Sequence, residues 1–408
     1  MNQRKFEMAK HAYTTVPYYR ELAEKNPEIP EWIKKGINWE KIPLVEKNAI
    51  VQKQEKLISE EYLGDLVMKR LTRSHTSGST GTYLDVYWTK QDTAASLLPL
   101  WMERYRCAGI RTKDKVCLFN TVLENEYDIK NNQMILSKKQ LTKDKMIRLY
   151  EKMQDFEPAW LLLHPGIAEM LIQLVTKEKL SPLKSLKYIE LTGEMVLEGL
   201  TQKLENIFNC PVRCHYGTME VNTIGYEKDG AYQVFDKSTY VEIMDDRGQP
   251  VKDGEYGNIY VTSLHNRAMP FVRYGIGDIG RILSRNDGIV RLELKHARKN
   301  DLLCMPDGSK VLPDVLLGPV ERINGAMEQM IYQFQVVQQS RNSLLINTVL
   351  DSDMEGDEFE KLYLELFQEE WKDEFEWKFQ YSNEIQINPC TGKSGWFFYQ
   401  YKEDGGKK

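Results

Sequence analysis

The sequence predicts an α/β protein, with a large N-terminal α/β domain of parallel sheet layers and a β-subdomain, plus a small α+β C-terminal domain. Three observations carry this reading. From Leu71 to Gly217 short apolar runs alternate with stretches of helical spacing, the pattern of a parallel sheet covered on both faces. Beyond about residue 230 the texture turns β-rich, with Gly-containing turn signals between alternating segments. After Arg298 the charge density rises and a separate strand and helix pattern begins. A length of 408 residues suits two or three domains. The boundary is set between 297 and 298, giving domains 1–297 and 298–408.

The elements follow in order. Residues 1–60 read as mostly helical, the first helix ending before Val16-Pro17, with a polar connection at Lys25–Glu31. DKVCLFN (114–120) and PAWLLLHP (158–165) read as buried strands, and IAEMLIQLVTKEKL (167–180) has apolar residues at helical spacing. SLKYIELTGE (185–194) is a strand ending in a Gly-containing loop, LEGLTQKLENIFN (197–209) a helix, and PVRCHYG (211–217) a strand. DDRGQ and KDGEYG mark turns between the strands that follow, with chain reversals built on Asp and Gly. VERINGAMEQMIYQFQVVQQ, LLINTVL and FEKLYLELFQEEWKDEF make up the small C-terminal domain, and KEDGGKK reads as a frayed tail.

Composition excludes several classes. A formal net charge of -5 argues against a general nucleic-acid binder, and 41% hydrophobic residues suffice for a real core. No apolar run reaches the length of about 18 residues that a membrane span needs. The N-terminus lacks the apolar stretch of a signal peptide, which points to the cytoplasm. The six cysteines are scattered, as in a reduced compartment. Cys210, Cys214 and His215 cluster, but no second Cys/His pair follows at zinc-finger spacing, so small buried residues are favoured over a metal site.

Five segments carry chemistry. HTSGSTG (75–81) combines hydroxyls with glycines, which suits an anion cradle as well as a flexible turn. HYGTMEVN (215–222) places an aromatic and a Gly at a strand end, where a planar base can lie, with Glu220 able to hold a divalent cation. MPFVRYGIGDIGRI (269–282) sets Asp278 between glycines, either for a ribose diol or as a turn residue. In ARKNDLLCMPDGSKVLP (297–313), Arg298 precedes polar Lys299-Asn300-Asp301, which suits a hinge or a plain linker. In INPCTGKSGWFFYQY (387–401), Lys393 reads as a mobile cation or a hairpin lysine.

In this order and spacing the five segments resemble the adenylate-forming (acyl-CoA synthetase-like) superfamily. VPYYR (16–20), LTGE (191–194) and MPFVRYGIGD (269–278) look most like its phenylacetate–CoA ligase and capsule-biosynthesis-type branch. The resemblance covers nearly the whole chain. It implies an ATP-dependent ligase that forms an acyl-adenylate and passes the acyl group to a thiol of coenzyme A or of a phosphopantetheine-bearing acyl carrier protein. Thr76, Ser77, Gly78, Ser79, Thr80 and Gly81 would then grip the β- and γ-phosphates. Tyr216 would stack on adenine, Glu220 hold Mg²⁺, and Asp278 bind the ribose with help from Arg298. Gly193, Glu194, Gly217 and Thr218 would complete the nucleotide site. Lys393 would serve adenylation from a mobile C-terminal domain that pivots near Asn300.

Three positions depart from the family pattern. Gly81 is followed by Thr82-Tyr83 where relatives often carry Lys-Pro or x-Pro, Met219 stands where Thr or Ser is usual, and Asn300 stands at the hinge. A thioether cannot donate to phosphate, and strand alternation would turn Thr218 the other way. Two rival readings stay open: an adenylating ligase with an amine or hydroxyl acceptor, and a degenerate nucleotide or acyl binder. By resemblance the acid pocket involves Trp101–Tyr105, Leu163–Pro165, Leu191–Glu194 and Cys214–Gly217. The last three hold no Lys or Arg, which favours an apolar or aromatic monoacid.

Overall fold

A computed structural model describes residues 3–76, 84–120, 123–139, 141–194, 196–197, 199–286, 288–298, 302–327, 330–351, 353–367, 374–382 and 395–399. The chain folds into two compact units, each made of two stretches. One unit holds residues 1–111 and 214–295, the other 112–213 and 296–408. The chain passes between the units at 111/112, 213/214 and 295/296.

In the first unit, helices Gln3–Thr15, Pro17–Lys25 and Ile29–Lys35 open the chain. They are not a free-standing cap. Phe6, Ala9, Ala12, Tyr13, Val16 and Tyr19 share one core with Phe271, Val272 and Tyr274. The Tyr19 hydroxyl accepts the Val272 N–H at 3.0 Å, which gives the VPYYR segment a structural task. Strands Thr239–Met244, Gly257–Ser263 and Tyr274–Asn286 run antiparallel. Both turn signals, DDRGQ and KDGEYG, lie in the single connection between the first two of these strands. Strand Val45–Glu46 pairs parallel to Tyr274–Asn286, with Val45 opposite Tyr274 and Glu46 opposite Gly275.

Arg273 fixes the entry to that long strand. It is buried and has a left-handed φ of 49°, a conformation non-Gly residues rarely adopt. Its guanidinium grips Glu242 through Nε at 3.3 Å and through a terminal nitrogen at 3.1 Å, and it also donates to the carbonyls of Glu40 and Ile42. A bidentate, fully hydrogen-bonded pair is the arrangement in which a buried charge is tolerated.

The second unit contains parallel strands Gln133–Ser137, Val116–Asn120, Trp160–Leu163 and Tyr188–Thr192, paired in that order. Tyr127–Lys130 adds an antiparallel edge. The nearly continuous apolar runs VCLFN and WLLL follow from burial on both faces. Helix Pro165–Thr176 starts with Pro in its first turn, directly after Trp160–Leu163. The later stretch forms a four-stranded sheet in the order Glu376–Tyr381, Ser343–Leu350, Ile331–Ser340, Phe397–Tyr399. Helices Gly318–Ala326 and Gly356–Leu366 share a core with that sheet, including Val320, Ile323, Val336, Ile346, Phe359 and Tyr363. The small α+β arrangement expected after 298 is therefore present.

Candidate nucleotide and acid site

In the first unit, Tyr216 closes strand Val212–Tyr216 and its hydroxyl donates to Asp278 at 2.8 Å. Asp278 is not a turn residue, as one reading of the sequence allowed: it lies inside strand Tyr274–Asn286. Asn258 faces Ile279 and Tyr260 faces Gly275, so Ile276, Gly277 and Asp278 oppose Ile259 alone. This bulge, with Gly277 at φ 84°, re-aims the carboxylate out of the ladder.

Gly217 leaves the strand where no side chain fits, since an added Cβ would lie 2.0 Å from the Asn222 carbonyl oxygen. The Thr218 carbonyl accepts the Asn222 N–H at 2.7 Å, closing a tight turn that carries Glu220. Thr218 therefore lies outside the strand, and the expected strand alternation does not set its direction. Its hydroxyl oxygen is buried and has no partner among the described residues, an orphan suited to an acceptor oxygen of a bound ligand. Met219 is held by its backbone, its carbonyl accepting Trp88 Nε1–H at 3.1 Å, while its side chain is exposed.

Glu220 is buried and accepts the Tyr274 hydroxyl at 3.0 Å. Burial, then the Glu220 charge, hold the Tyr274 phenol well above its usual range, so it remains a donor. One bond leaves further acceptor capacity on Glu220 for a cation. Among the described residues no cluster of three or more His, Cys, Asp or Glu could hold a metal. A single carboxylate that shares Mg²⁺ with substrate phosphates needs no such cluster.

Thr76 is buried, exchanges two 3.0 Å hydrogen bonds with Leu84, and receives one from Lys47 Nζ at 3.4 Å. Ser77, Gly78, Ser79, Thr80, Gly81, Thr82, Tyr83, Asn300 and Lys393 lie outside the described residues. Arg298 is the last residue of strand Ile289–Arg298, and its side chain lies outside the description.

In the second unit, Gly193 and Glu194 follow strand Tyr188–Thr192, as His164 follows Trp160–Leu163. Leu163 pairs with Leu191, so parallel registry brings the two strand ends side by side. His164 Nδ1 lies 3.0 Å from the Glu194 carboxylate. Gly193, at φ 84°, packs so close to the His164 ring that an added Cβ would meet Nε2 at 3.2 Å. Glu169, on the helix that begins at Pro165, is buried, and burial followed by the Glu194 charge pushes its carboxyl well above the usual range. Sequence reasoning missed Tyr274, His164 and Lys47 as partners. The first two sit inside segments already singled out, whereas Lys47 had no local signal.

Cys210 and Cys214 are buried, Cys214 on a strand and Cys210 just before it. Burial pushes the Cys210 thiol up to about 12, away from the thiolate that a metal requires.

An AMP-binding enzyme family model matches residues 71–266, and a CapK C-terminal domain model matches 303–397. The chain is 25% identical over 201 residues to a phenylacetate-coenzyme A ligase of Thermus thermophilus, covering 47% of this chain and 44% of that one. It is 23% identical over 326 residues to the Escherichia coli phenylacetate-coenzyme A ligase, covering 75% and 72%. Protein CapK of Staphylococcus aureus is 21% identical over 377 residues, covering 86% and 78%. Among solved structures, 2-hydroxyisobutyryl-CoA ligase in complex with 2-HIB-AMP aligns over 97% of this chain and 87% of that one. The TM-score is 0.73 at 16% identity, a likeness of fold.

Proposed function

Because the chain belongs to the adenylate-forming superfamily, in its phenylacetate–CoA ligase and CapK-type branch, we propose that it activates a carboxylic acid with ATP. The acid becomes an acyl-adenylate with release of pyrophosphate, and the acyl group then passes to a thiol. The observation that carries this reading is the Tyr216–Asp278 hydrogen bond beside the Glu220–Tyr274 pair. An aromatic face, a carboxylate aimed out of its strand and a half-satisfied buried carboxylate match a base, a ribose diol and a phosphate-bound dication.

In this reading Asp278 takes the ribose hydroxyls and Tyr216 the adenine. Glu220 holds Mg²⁺ as a hard oxygen ligand, and the orphan hydroxyl of Thr218 takes the donor role that Met219 cannot fill. Gly217 lets the backbone turn close to the nucleotide. Thr76 and residues 77–81 hold the β- and γ-phosphates, and Lys393 serves adenylation. Bound Mg²⁺ would supply charge neutralisation on the phosphates. The acid is apolar or aromatic, and the acceptor thiol belongs to coenzyme A or to a carrier protein.

The test is acid-dependent exchange of labelled pyrophosphate into ATP across a panel of carboxylic acids, followed by AMP release on adding coenzyme A. Exchange with an aromatic acid supports the reading. No exchange with any acid, despite ATP binding, overturns it.

A further inference from the structure

The turn at 217–222 carries two groups with bonding capacity to spare. Glu220 is buried and accepts the Tyr274 hydroxyl at 3.0 Å. The buried Thr218 hydroxyl has no partner among the described residues. Held by its own bonds alone, such a turn can rearrange to pair these groups. It keeps them presented only if its backbone is fixed from outside.

Two outside groups fix it. The Trp88 indole N–H donates to the Met219 carbonyl at 3.1 Å, one residue before Glu220. The Asn222 side-chain amide donates to the Ser96 hydroxyl at 2.8 Å, two residues after Glu220. Both anchors are themselves held. Trp88 is buried at the end of strand Asp85–Trp88, where it pairs with Thr72. Helix Lys90–Ala108 follows at once, its Thr89 cap accepting the Asp92 N–H at 2.9 Å. Ser96 is buried on that helix and gives its own proton to the Thr93 carbonyl at 2.9 Å. One continuous strand-to-helix segment therefore grips the turn on both sides of Glu220.

The residues of the turn fit this grip. Asn222 has a left-handed φ of 63°, and its backbone N–H closes the turn on the Thr218 carbonyl at 2.7 Å. Glycine would adopt that φ more freely, so the backbone alone does not call for asparagine. The bond to Ser96 is what the amide side chain adds. Met219 has an exposed side chain and is held through its carbonyl, a contact that any residue type can make.

We propose that Trp88, Ser96 and Asn222 are positioning residues for the Glu220 carboxylate. They act through the turn: with its backbone fixed on both sides, Glu220 presents its remaining acceptor sites to Mg²⁺ without reorganising. A ligand ordered in advance avoids an ordering cost at binding. The inference rests on the ligase reading, with Glu220 as the metal ligand, and adds three residues to which the sequence gave no role.

The experiment measures ATP affinity of the full chain by calorimetry across a Mg²⁺ series, with AMP in the absence of Mg²⁺ as the control ligand. Trp88→Phe keeps a buried ring and loses the indole N–H. Ser96→Ala loses the hydroxyl, and Asn222→Gly keeps the left-handed backbone and loses the amide. Each is expected to raise the Mg²⁺ concentration for half-maximal ATP binding about 3–10-fold, the scale of one lost hydrogen bond, while AMP affinity changes less than about twofold. Each substitution is then repeated on Glu220→Gln. With no carboxylate left to position, it should leave the Mg²⁺ requirement where Glu220→Gln alone puts it. An equal rise on both backgrounds would assign the three residues to the fold of the turn and overturn the proposal. If Trp88→Phe does not fold, Ser96→Ala and Asn222→Gly decide. Wild-type protein that binds no ATP at any Mg²⁺ concentration would overturn the ligase reading and this inference with it. Mg²⁺-dependent ATP binding in the wild type, matched by all the folded variants, would overturn the inference alone.

Discussion

The Tyr216 hydroxyl donates to the Asp278 carboxylate at 2.8 Å, joining residues 62 apart in sequence. The bond restrains both side chains, the ring and the carboxylate that the proposed function assigns to the base and the ribose. Asp278→Ala is expected to weaken ATP and AMP alike, by about tenfold or more, since two charge-assisted bonds to the ribose are lost. Tyr216→Phe keeps the ring and loses only the restraint, so its effect should be smaller. Calorimetry in which the folded Asp278→Ala protein keeps wild-type affinity would remove Asp278 from the site.

Glu220→Gln is expected to raise the Mg²⁺ concentration needed for half-maximal pyrophosphate exchange, because a neutral amide is a poor ligand for a hard dication. Tyr274→Phe tests the support: Glu220 stays charged but loses its donor, so the Mg²⁺ requirement should move less. If magnesium titrations of Glu220→Gln and wild type superimpose, Glu220 has another task.

Lys393→Ala is expected to reduce pyrophosphate exchange about 10²–10³-fold, the usual loss when one preorganised charge contact is removed. Thioester formation from a supplied acyl-adenylate should proceed at near wild-type rate. Equal losses in both half-reactions would show that Lys393 does not divide its service between them.

Lys5 gives a prediction about stability. Its ammonium is buried against Tyr240, Trp39 and Phe6, at 3.9, 4.6 and 5.5 Å from the ring centroids. Burial lowers its pKa from 10.5 to about 8. The unfolded chain therefore binds this proton more tightly, and stability rises with pH between about 8 and 10.5. The contribution is lost as pH falls through about 8. Denaturant midpoints of wild type minus Lys5→Met should climb across that window. Taking the difference cancels the buried tyrosines, such as Tyr13 and Tyr19, whose raised pKa values act in the opposite sense above pH 10. A flat difference would mean that the ammonium is solvated.

Much of the architecture was legible from local pattern. The strands at 116–120, 160–163 and 188–192 follow from apolar runs buried on both faces, and the helix Pro165–Thr176 from apolar spacing, whereas the helix Lys143–Phe156 was not anticipated. Tyr216, Glu220 and Asp278 were legible as motif residues. Their partners were not, because Tyr274 and Glu220 meet only through tertiary structure, and nothing in the order of residues 44–48 announces pairing with residue 274. The bulge that turns Asp278 outward depends on register against Asn258 and Tyr260, a non-local property. The orphan hydroxyl of Thr218 was missed because a strand period was extended one turn too far.

The recognised nucleotide-binding segment begins at residue 71, yet Tyr19, Val45 and Lys47 reach residues 272, 274 and 76 from upstream of it. A gene started at residue 71 would encode a protein whose Phe271, Val272 and Tyr274 have lost their covering helices, and it should accumulate in inclusion bodies. Recombination with a relative meets the same obstacle. A chimera joined at Leu71 would have to recreate the grip of Arg273 on the carbonyls of Glu40 and Ile42 with foreign backbone. The heritable block for shuffling is discontinuous: residues 1–111 and 214–295 have to travel together.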